Sequence, residues 1–128
     1  FIGPCIAKRR EAQSDARIDY VMTFEELGAL LAAMSVDILE QPKTPLATPA
    51  ASYARNFAKS CGVTEAILQE AGLSPEHPCQ IDHKFINGLD RKSVKMLALY
   101  AQGKLPGNFL EVMACSGGCV GGPCSLVR

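Results

Sequence analysis

The sequence lacks an excess of charge of either sign. Its 13 basic and 13 acidic residues give a formal net charge of zero. Proteins that bind nucleic acid or an anionic membrane surface need clustered positive charge, so this balance argues against both kinds of partner. The chain also has no apolar run long enough to cross a bilayer, and we therefore expect no membrane span.

Several short motifs that identify common binding sites are missing as well. The chain has no paired Cys-x-x-Cys knuckles, which argues against a zinc ribbon. The glycines around Cys119 do not match the dinucleotide-binding pattern, and no phosphate-binding Gly-x₄-Gly-Lys loop is present. A radical-SAM site needs a third cysteine three positions after the second, but the next thiol after Cys119 is Cys124.

The composition indicates one folded domain in a reducing environment. The 128 residues are 48% hydrophobic, which is enough to bury a core. Six cysteines in a chain of this size are too sparse for a disulfide framework, so a metal or redox role in a reducing compartment, the cytoplasm, is favoured. The apolar opening Phe1-Ile2-Gly3 is interpreted as the cut end of a strand, and residues 1–128 as a single domain that is a fragment of a larger one.

Strands are predicted to alternate with helices along the chain. Thr23 and Glu26 form the pattern of a capping box at a helix start, and apolar residues at helical spacing follow them. Further predicted elements are a strand over 19–22, a proline-rich loop over 41–50, helices over 52–59 and 64–71, a weak strand over 79–86, a helix capped by Asp90, and a last strand over 108–113. This order predicts an α/β fold with a layered, mostly parallel sheet flanked by helices.

Two cysteine motifs follow predicted strands, at the strand ends where ligand sites of such sheets gather. Cys115 and Cys119 enclose two glycines, which allow positive φ angles and close backbone approach to a cluster. Backbone N–H groups exposed in such a loop can bond to cluster sulfides. From the pattern alone, a structural role and iron–sulfur ligation are equally favoured. Cys5 follows Pro4 and precedes Lys8, which is either an anion donor beside the thiolate or part of a solvated basic run.

Taken together, the two motifs resemble signatures of the iron-only (FeFe) hydrogenases. FIGPCIAKRREA resembles the second signature of that family, and EVMACSGGCVGG resembles the third. The stretches DYVMTFEELGALL and GKLPGNFLEVMAC fit between them in the same order. The resemblance covers essentially the whole chain and implies that it is one lobe of an FeFe-hydrogenase-type domain.

The resemblance implies an H-cluster, which is a 4Fe-4S cubane joined through a cysteine to a two-iron subsite bearing CO and cyanide. Cys5, Cys115 and Cys119 match three of the four cubane ligands, and Cys119 matches the bridging one. Lys8 matches the lysine that hydrogen-bonds a cyanide, and Met113 matches the methionine near the subsite. Gly3 and Pro4 stand beside the first ligand, where the family usually has methionine before the proline.

The first family signature, which carries the fourth cubane cysteine, is absent. The expected partner is therefore the upstream half of the same domain, and the isolated chain is expected to be apo and inactive. The parent is expected to be an oxidoreductase that interconverts protons and hydrogen, served by a ferredoxin or by fused cluster or signalling domains. Gly3, Ser116 and Cys61 depart from the family pattern and resemble a divergent, sensory branch. A hydrogen or redox sensor, an iron–sulfur assembly factor and an inert α/β domain remain alternatives.

The other cysteines match no ligand of the family. Cys61 and Cys79 are interpreted as structural. Cys124 follows Cys119 closely and could compete for iron or form a disulfide. His77 and His83 flank Cys79, but they lack the paired spacing of a zinc site and are interpreted as surface residues.

Overall fold

A computed structural model describes residues 1–71 and 81–126 of the chain. The chain divides into two compact units. The first consists of Phe1–Pro49 together with Gly121–Arg128, and the second is Ala50–Val120. The four cysteines at 5, 61, 115 and 119 are thereby divided, with Cys5 in the first unit and the other three in the second.

The first unit contains a two-stranded parallel sheet and two helices. Strand β1 (Ile2–Gly3) pairs with strand β2 (Met22–Thr23), and helix α1 (Lys8–Ala12) lies between them in sequence. Helix α2 (Phe24–Ala33) follows β2 directly. The predicted capping box is confirmed, because Thr23 Oγ1 accepts a hydrogen bond from the Glu26 N–H while the Glu26 carboxylate accepts one from the Thr23 N–H.

The capping glutamate gives this unit a defined pH dependence. The Arg9 guanidinium and the Thr23 hydrogen bonds hold the pKa of Glu26 at about 2, below its usual value of 4.5. A lowered pKa stabilises the fold fully above pH 4.5, and this contribution is lost as the pH falls toward 2. We therefore expect the difference in unfolding free energy between the wild type and Glu26→Gln to shrink across that window in urea titrations. A difference that does not change with pH would contradict this assignment.

The second unit is built around a β-α-β segment. Helix α3 (Gly62–Glu70) precedes this segment. Strand β3 (His83–Asn87) then pairs in parallel with strand β4 (Phe109–Met113), and helix α4 (Arg91–Ala101) connects the two strands. The register pairs His83 with Phe109 and Asn87 with Met113. Asp90 caps α4 as predicted, since its carboxylate accepts from the Ser93 N–H at 2.7 Å. A four-residue helix, Ser52–Arg55, opens the unit.

The observed elements confirm the predicted α/β class, and they differ from the prediction in extent. The strands form two separate two-stranded parallel sheets. The strand predicted over 19–22 is β2 at Met22–Thr23, and the helix predicted over 52–59 ends at Arg55. Helix α1 was not among the predicted elements, because its five residues carry no apolar period. The weak strand is found at His83–Asn87, and its predicted first residues, 79 and 80, lie outside the described residues.

Many large apolar side chains of the described residues remain exposed. Leu39 is 93% exposed and Met34 is 64% exposed, while the buried apolar residues are Ala66, Ile86 and Cys124. Polar side chains that are buried include Thr64 and Glu111, and they are hydrogen-bonded. Within residues 1–71 and 81–126, no helix has the length and apolar character of a membrane span.

Candidate metal centre

The loop after β4 presents two cysteines on a tightly folded backbone. Cys115 is half-buried and Cys119 is exposed. Between them, Gly117 and Gly118 have φ angles of 85° and 91°, a backbone region that residues other than glycine rarely adopt. The Gly118 N–H donates to the Cys115 carbonyl at 3.0 Å and closes the turn. The sequence therefore needed glycine here to bring the two thiols onto one short loop.

This cysteine loop (residues 115–119) lies against the segment that precedes α3. Gly118 forms an isolated antiparallel bridge with Lys59. A Cβ atom on Gly118 would lie 2.6 Å from the Ala58 carbonyl oxygen and 2.6 Å from the Ser60 nitrogen. The backbone approach is so close that only glycine fits, and it fixes the loop to the body of the second unit.

Two neighbouring glycines allow this close approach to be tested. Gly118→Ala is expected to lower the free energy of unfolding by more than about 4 kcal/mol, because the new methyl group meets backbone atoms that cannot rotate away. Gly117→Ala is the matched control, since it has a similar φ but no atom within 4 Å of the added Cβ. It is expected to cost about 1–2 kcal/mol from backbone strain alone. Urea denaturation would measure both, and equal losses would show that the contact with Ala58 and Ser60 is unimportant.

A buried carboxylate, Glu111, accepts hydrogen bonds near the base of the cysteine loop. Glu111 in β4 is 5% exposed and accepts three hydrogen bonds. The donors are the Cys61 N–H at 2.8 Å, the Thr64 N–H at 2.9 Å and the Thr64 hydroxyl at 2.6 Å. The first two are backbone groups at the start of α3, where N–H groups have no partner within the helix. Glu111 thus joins the strand that leads into the cysteine loop to the start of α3.

Cys61 lies at this helix start with a left-handed backbone, at φ 68°. Burial, and secondarily the charge of Glu111, raise the pKa of its thiol. A raised pKa keeps the thiol protonated, and the protonated form is a poor metal ligand and a poor nucleophile. This environment agrees with the structural role predicted for Cys61.

The second predicted motif lies in the first unit. Cys5 is half-buried and follows Pro4 directly. The Lys8 ammonium donates to both carboxylate oxygens of Glu11, at 2.7 and 2.6 Å, and lies 5.7 Å from the centre of the Phe1 ring. An exposed ion pair of this kind contributes little to stability.

Gly3 lies directly beside the Phe1 ring. Gly3 is buried, and a Cβ atom added to it would lie 2.8 Å from the tip of the Phe1 ring. The tip of this half-exposed ring therefore occupies the space directly beside Gly3 and would have to shift for a larger side chain.

The remaining predicted residues fall in different surroundings. Met113 is half-buried at the end of β4, and its carbonyl accepts from the Gly88 N–H at 2.8 Å. Cys124 is buried, and its N–H donates to the Pro4 carbonyl at 3.2 Å, so it contacts the loop of Cys5. His83 is exposed at the start of β3, whereas His77 and Cys79 lie outside the described residues. In the part of the chain that the structure describes, no three His, Cys, Asp or Glu side chains form a ready metal site.

Two residues of this region were missed at the sequence level. Glu111 was recognised only as part of a signature, although an acidic residue inside a predicted apolar strand indicates a buried partner. Asn87 ends β3, and its Oδ1 atom accepts from the Gly117 N–H at 2.6 Å. The sequence indicated Asn87 less clearly than Glu111, because it shows only a polar residue at the carboxyl end of a predicted strand.

The donor chemistry of the loop fits an iron–sulfur group. Cys115 and Cys119 can supply soft thiolate ligands, and Gly117 between them has no atom within 4 Å of the position of a Cβ, which leaves open space beside the loop. Cys5, the third predicted ligand, belongs to the first unit.

Comparison with known proteins gives a family match and a set of structural matches. Residues 1–123 match the family model described as iron only hydrogenase large subunit, C-terminal domain. Two variants of the FeFe-hydrogenase HydA1 from Chlamydomonas reinhardtii match with TM-scores of 0.64 at 22% and 21% identity. The structure of HydA(deltaEFG), described as revealing stepwise H-cluster assembly, matches with a TM-score of 0.64 at 21% identity. Each alignment covers 99% of this chain and 48% of the other, so the chain spans about half the length of these hydrogenases.

Proposed function

The chain belongs to the family of C-terminal domains of iron-only hydrogenase large subunits, and we propose that it is an H-cluster-binding lobe of such a protein. In this proposal Cys5, Cys115 and Cys119 are thiolate ligands of a 4Fe-4S cubane, and Cys119 also bridges to the two-iron subsite. The observation that carries the proposal is the cysteine loop, in which positive φ angles at Gly117 and Gly118 and the bond from the Gly118 N–H to the Cys115 carbonyl fold the backbone between the two cysteines into a tight turn.

Residues near the ligands have supporting roles in this proposal. Lys8 follows Cys5 by three positions and carries an ammonium group that can hold an anionic cyanide as a point-charge donor. One of its partners, Glu11, is an exposed carboxylate, and exposed ion pairs of this kind are weak. In this proposal Pro4 and Gly3 shape the backbone beside Cys5, and Met113, which precedes the cysteine loop, would lie near the subsite.

The proposed partner is the upstream half of the same domain. Parallel strands are normally covered on both faces, yet Phe85 of β3 is 54% exposed and Val112 of β4 is 37% exposed. Met34, Ile38 and Leu39 form a further run of exposed apolar side chains after α2. The structurally similar hydrogenases are about twice as long, which is enough chain to cover these surfaces and to supply a fourth cysteine ligand.

The bound H-cluster would supply the redox chemistry of reversible proton reduction, and the protein would hold and orient it. Electrons would come from a ferredoxin or from a fused cluster domain, in the reducing cytoplasm. A sensory role with slow turnover is the second candidate. Gly3 supports it, because the Phe1 ring fills the place of a larger side chain and so changes the packing beside Cys5.

Iron and sulfide analysis after anaerobic reconstitution tests the proposal. The measurement is made on this chain and on a longer protein that includes the upstream half, each with an electron paramagnetic resonance spectrum of the reduced sample. We expect the longer protein to hold about four irons with the spectrum of a 4Fe-4S cluster, and this chain alone to hold less than one. A hydrogen-evolution assay after subsite maturation then separates an enzyme from a sensor.

Two outcomes would contradict the proposal. Stoichiometric, stable 4Fe-4S binding by this chain alone would show that the upstream half is not needed. If neither protein binds iron while its cysteines remain reduced, the ligand assignment is wrong, and the cysteine loop is a structural turn.

A further inference from the structure

Asn87 lies at the carboxyl end of β3 and contacts the centre of the cysteine loop. Its Oδ1 atom accepts from the Gly117 N–H at 2.6 Å and from the Ser60 hydroxyl at 2.7 Å. The backbone N–H can only donate, so the atom that faces it is the oxygen of the carboxamide. We propose that Asn87 is a positioning residue, which fixes the conformation of the cysteine loop for cluster binding. The inference rests on the proposed function of that loop.

The strand register explains why Asn87 reaches this loop. Asn87 pairs with Met113, and the parallel hydrogen bonding continues past both strands. The Gly88 N–H donates to the Met113 carbonyl at 2.8 Å, and the Leu89 N–H donates to the Ala114 carbonyl at 3.0 Å. The backbone after β3 therefore follows the chain up to the residue before Cys115, which holds the Asn87 side chain at the first turn of the loop.

The Gly117 residue is held on both of its backbone groups. Its N–H donates to Asn87, and its carbonyl accepts from the Ser60 N–H at 3.1 Å. Ser60 also donates its hydroxyl to Asn87, so the three residues form a closed hydrogen-bonded set. A glycine without such contacts would sample many conformations. The conformational entropy lost when the loop became ordered on a ligand would then weaken ligand binding. Asn87 thus restricts the conformations that the loop can adopt.

The hydrogen bond to Asn87 also sets the direction of the Gly117 N–H group. N–H groups directed at cluster sulfur raise the reduction potential of an iron–sulfur cluster. The Gly117 N–H is directed at Asn87, and the Gly118 N–H is directed at the Cys115 carbonyl. Asn87 therefore keeps the Gly117 amide from bonding to sulfur, and its loss is expected to raise the potential of the bound cluster.

The experiment uses the full-length protein with three variants. Asn87→Ala removes the acceptor, whereas Asn87→Asp keeps an oxygen for both donors. Asn108→Ala is the matched control, because Asn108 Oδ1 accepts from the Asp82 N–H at 2.9 Å at the other end of the same strand pair. The readouts are hydrogen exchange of the Gly117 amide in the apo protein, iron release to a chelator, and the potential of the bound cluster.

Asn87→Ala is expected to speed both hydrogen exchange of the Gly117 amide and iron release by about tenfold, because it removes two hydrogen bonds between neutral groups. Its cluster potential is expected to rise. Asn87→Asp should restore slow exchange and iron retention, and its added negative charge should lower the potential. Asn108→Ala should match the wild type in all three readouts.

The proposal is overturned if Asn87→Ala exchanges the Gly117 amide at the wild-type rate, or if Asn108→Ala has the same effects as Asn87→Ala. Failure of the proposed function gives a different result. In that case the wild-type protein binds no iron, while the exchange measurement still shows whether Asn87 holds the loop.

Discussion

Replacing Glu111 with alanine is expected to lower the free energy of unfolding by about 3–5 kcal/mol. The carboxylate is 5% exposed and accepts from the Cys61 N–H, the Thr64 N–H and the Thr64 hydroxyl. Hydrogen bonds to a charged group contribute about 1.5–3 kcal/mol each, and donors left without a partner in the interior add a further penalty. Burial of the carboxylate offsets part of this sum, which is why the expected loss is smaller than three full hydrogen bonds.

Two further variants identify the source of this loss. Glu111→Gln keeps one acceptor oxygen but turns an NH₂ group toward backbone donors, so it is expected to fall between the wild type and Glu111→Ala. Glu65→Ala removes an exposed carboxylate in the first turn of the same helix and is expected to cost less than about 0.5 kcal/mol. Urea denaturation followed by circular dichroism would measure all three. A loss below about 1 kcal/mol for Glu111→Ala would show that water replaces the carboxylate without cost.

The same substitution is expected to reach the cysteine loop. Glu111 lies in β4, which leads into Cys115, and it fixes the start of α3 at Cys61. The segment before Cys61 contacts Gly117 and Gly118 through Ser60 and Lys59. Loss of the carboxylate therefore loosens the surface against which the loop folds. In Glu111→Ala we expect faster hydrogen exchange at Gly118 as well as lower stability.

Local features of this fold could be predicted from the sequence, and contacts between distant segments could not. The capping boxes at Thr23 and Asp90 were predictable because each involves side chains and backbone within one turn. The glycine-rich turn between Cys115 and Cys119 was predictable for the same reason. The hydrogen bonds that the Cys61 and Thr64 N–H groups donate to Glu111 span 50 and 47 residues, and no sequence spacing indicates them.

The candidate site shows the same division. The sequence indicates which thiols could bind iron, because residue type and glycine spacing are local properties. It does not show that the Gly117 amide is taken by Asn87, 30 residues earlier, or that the Gly118 backbone lies against Ala58 and Ser60. The Asn87 contact follows from the parallel pairing of β3 with β4, whereas the Gly118 contact includes an isolated bridge with Lys59 outside both strands. The loop's conformation is therefore a property of the folded unit.

Replacing Cys119 with serine is expected to have the largest effect on iron binding. Cys119 is exposed on the cysteine loop and is proposed to ligate the cubane and bridge to the two-iron subsite. A serine hydroxyl is a hard, weakly acidic donor and replaces a thiolate poorly on iron. In the full-length protein, Cys119→Ser should lower the iron content from about four per cubane to less than one, with loss of the reduced-cluster spectrum.

Cys115→Ser and Cys61→Ser complete this comparison. Cys115→Ser should also lose the cluster, because a cubane with one corner unligated is labile. Cys61→Ser should keep it, since the Cys61 thiol has a raised pKa and its N–H is bonded to Glu111. Iron retained by both loop variants, or lost in Cys61→Ser while its unfolding free energy is unchanged, would assign the ligands to different cysteines. Iron lost only from the loop variants would establish that two neighbouring thiols, oriented by glycine, hold the cluster.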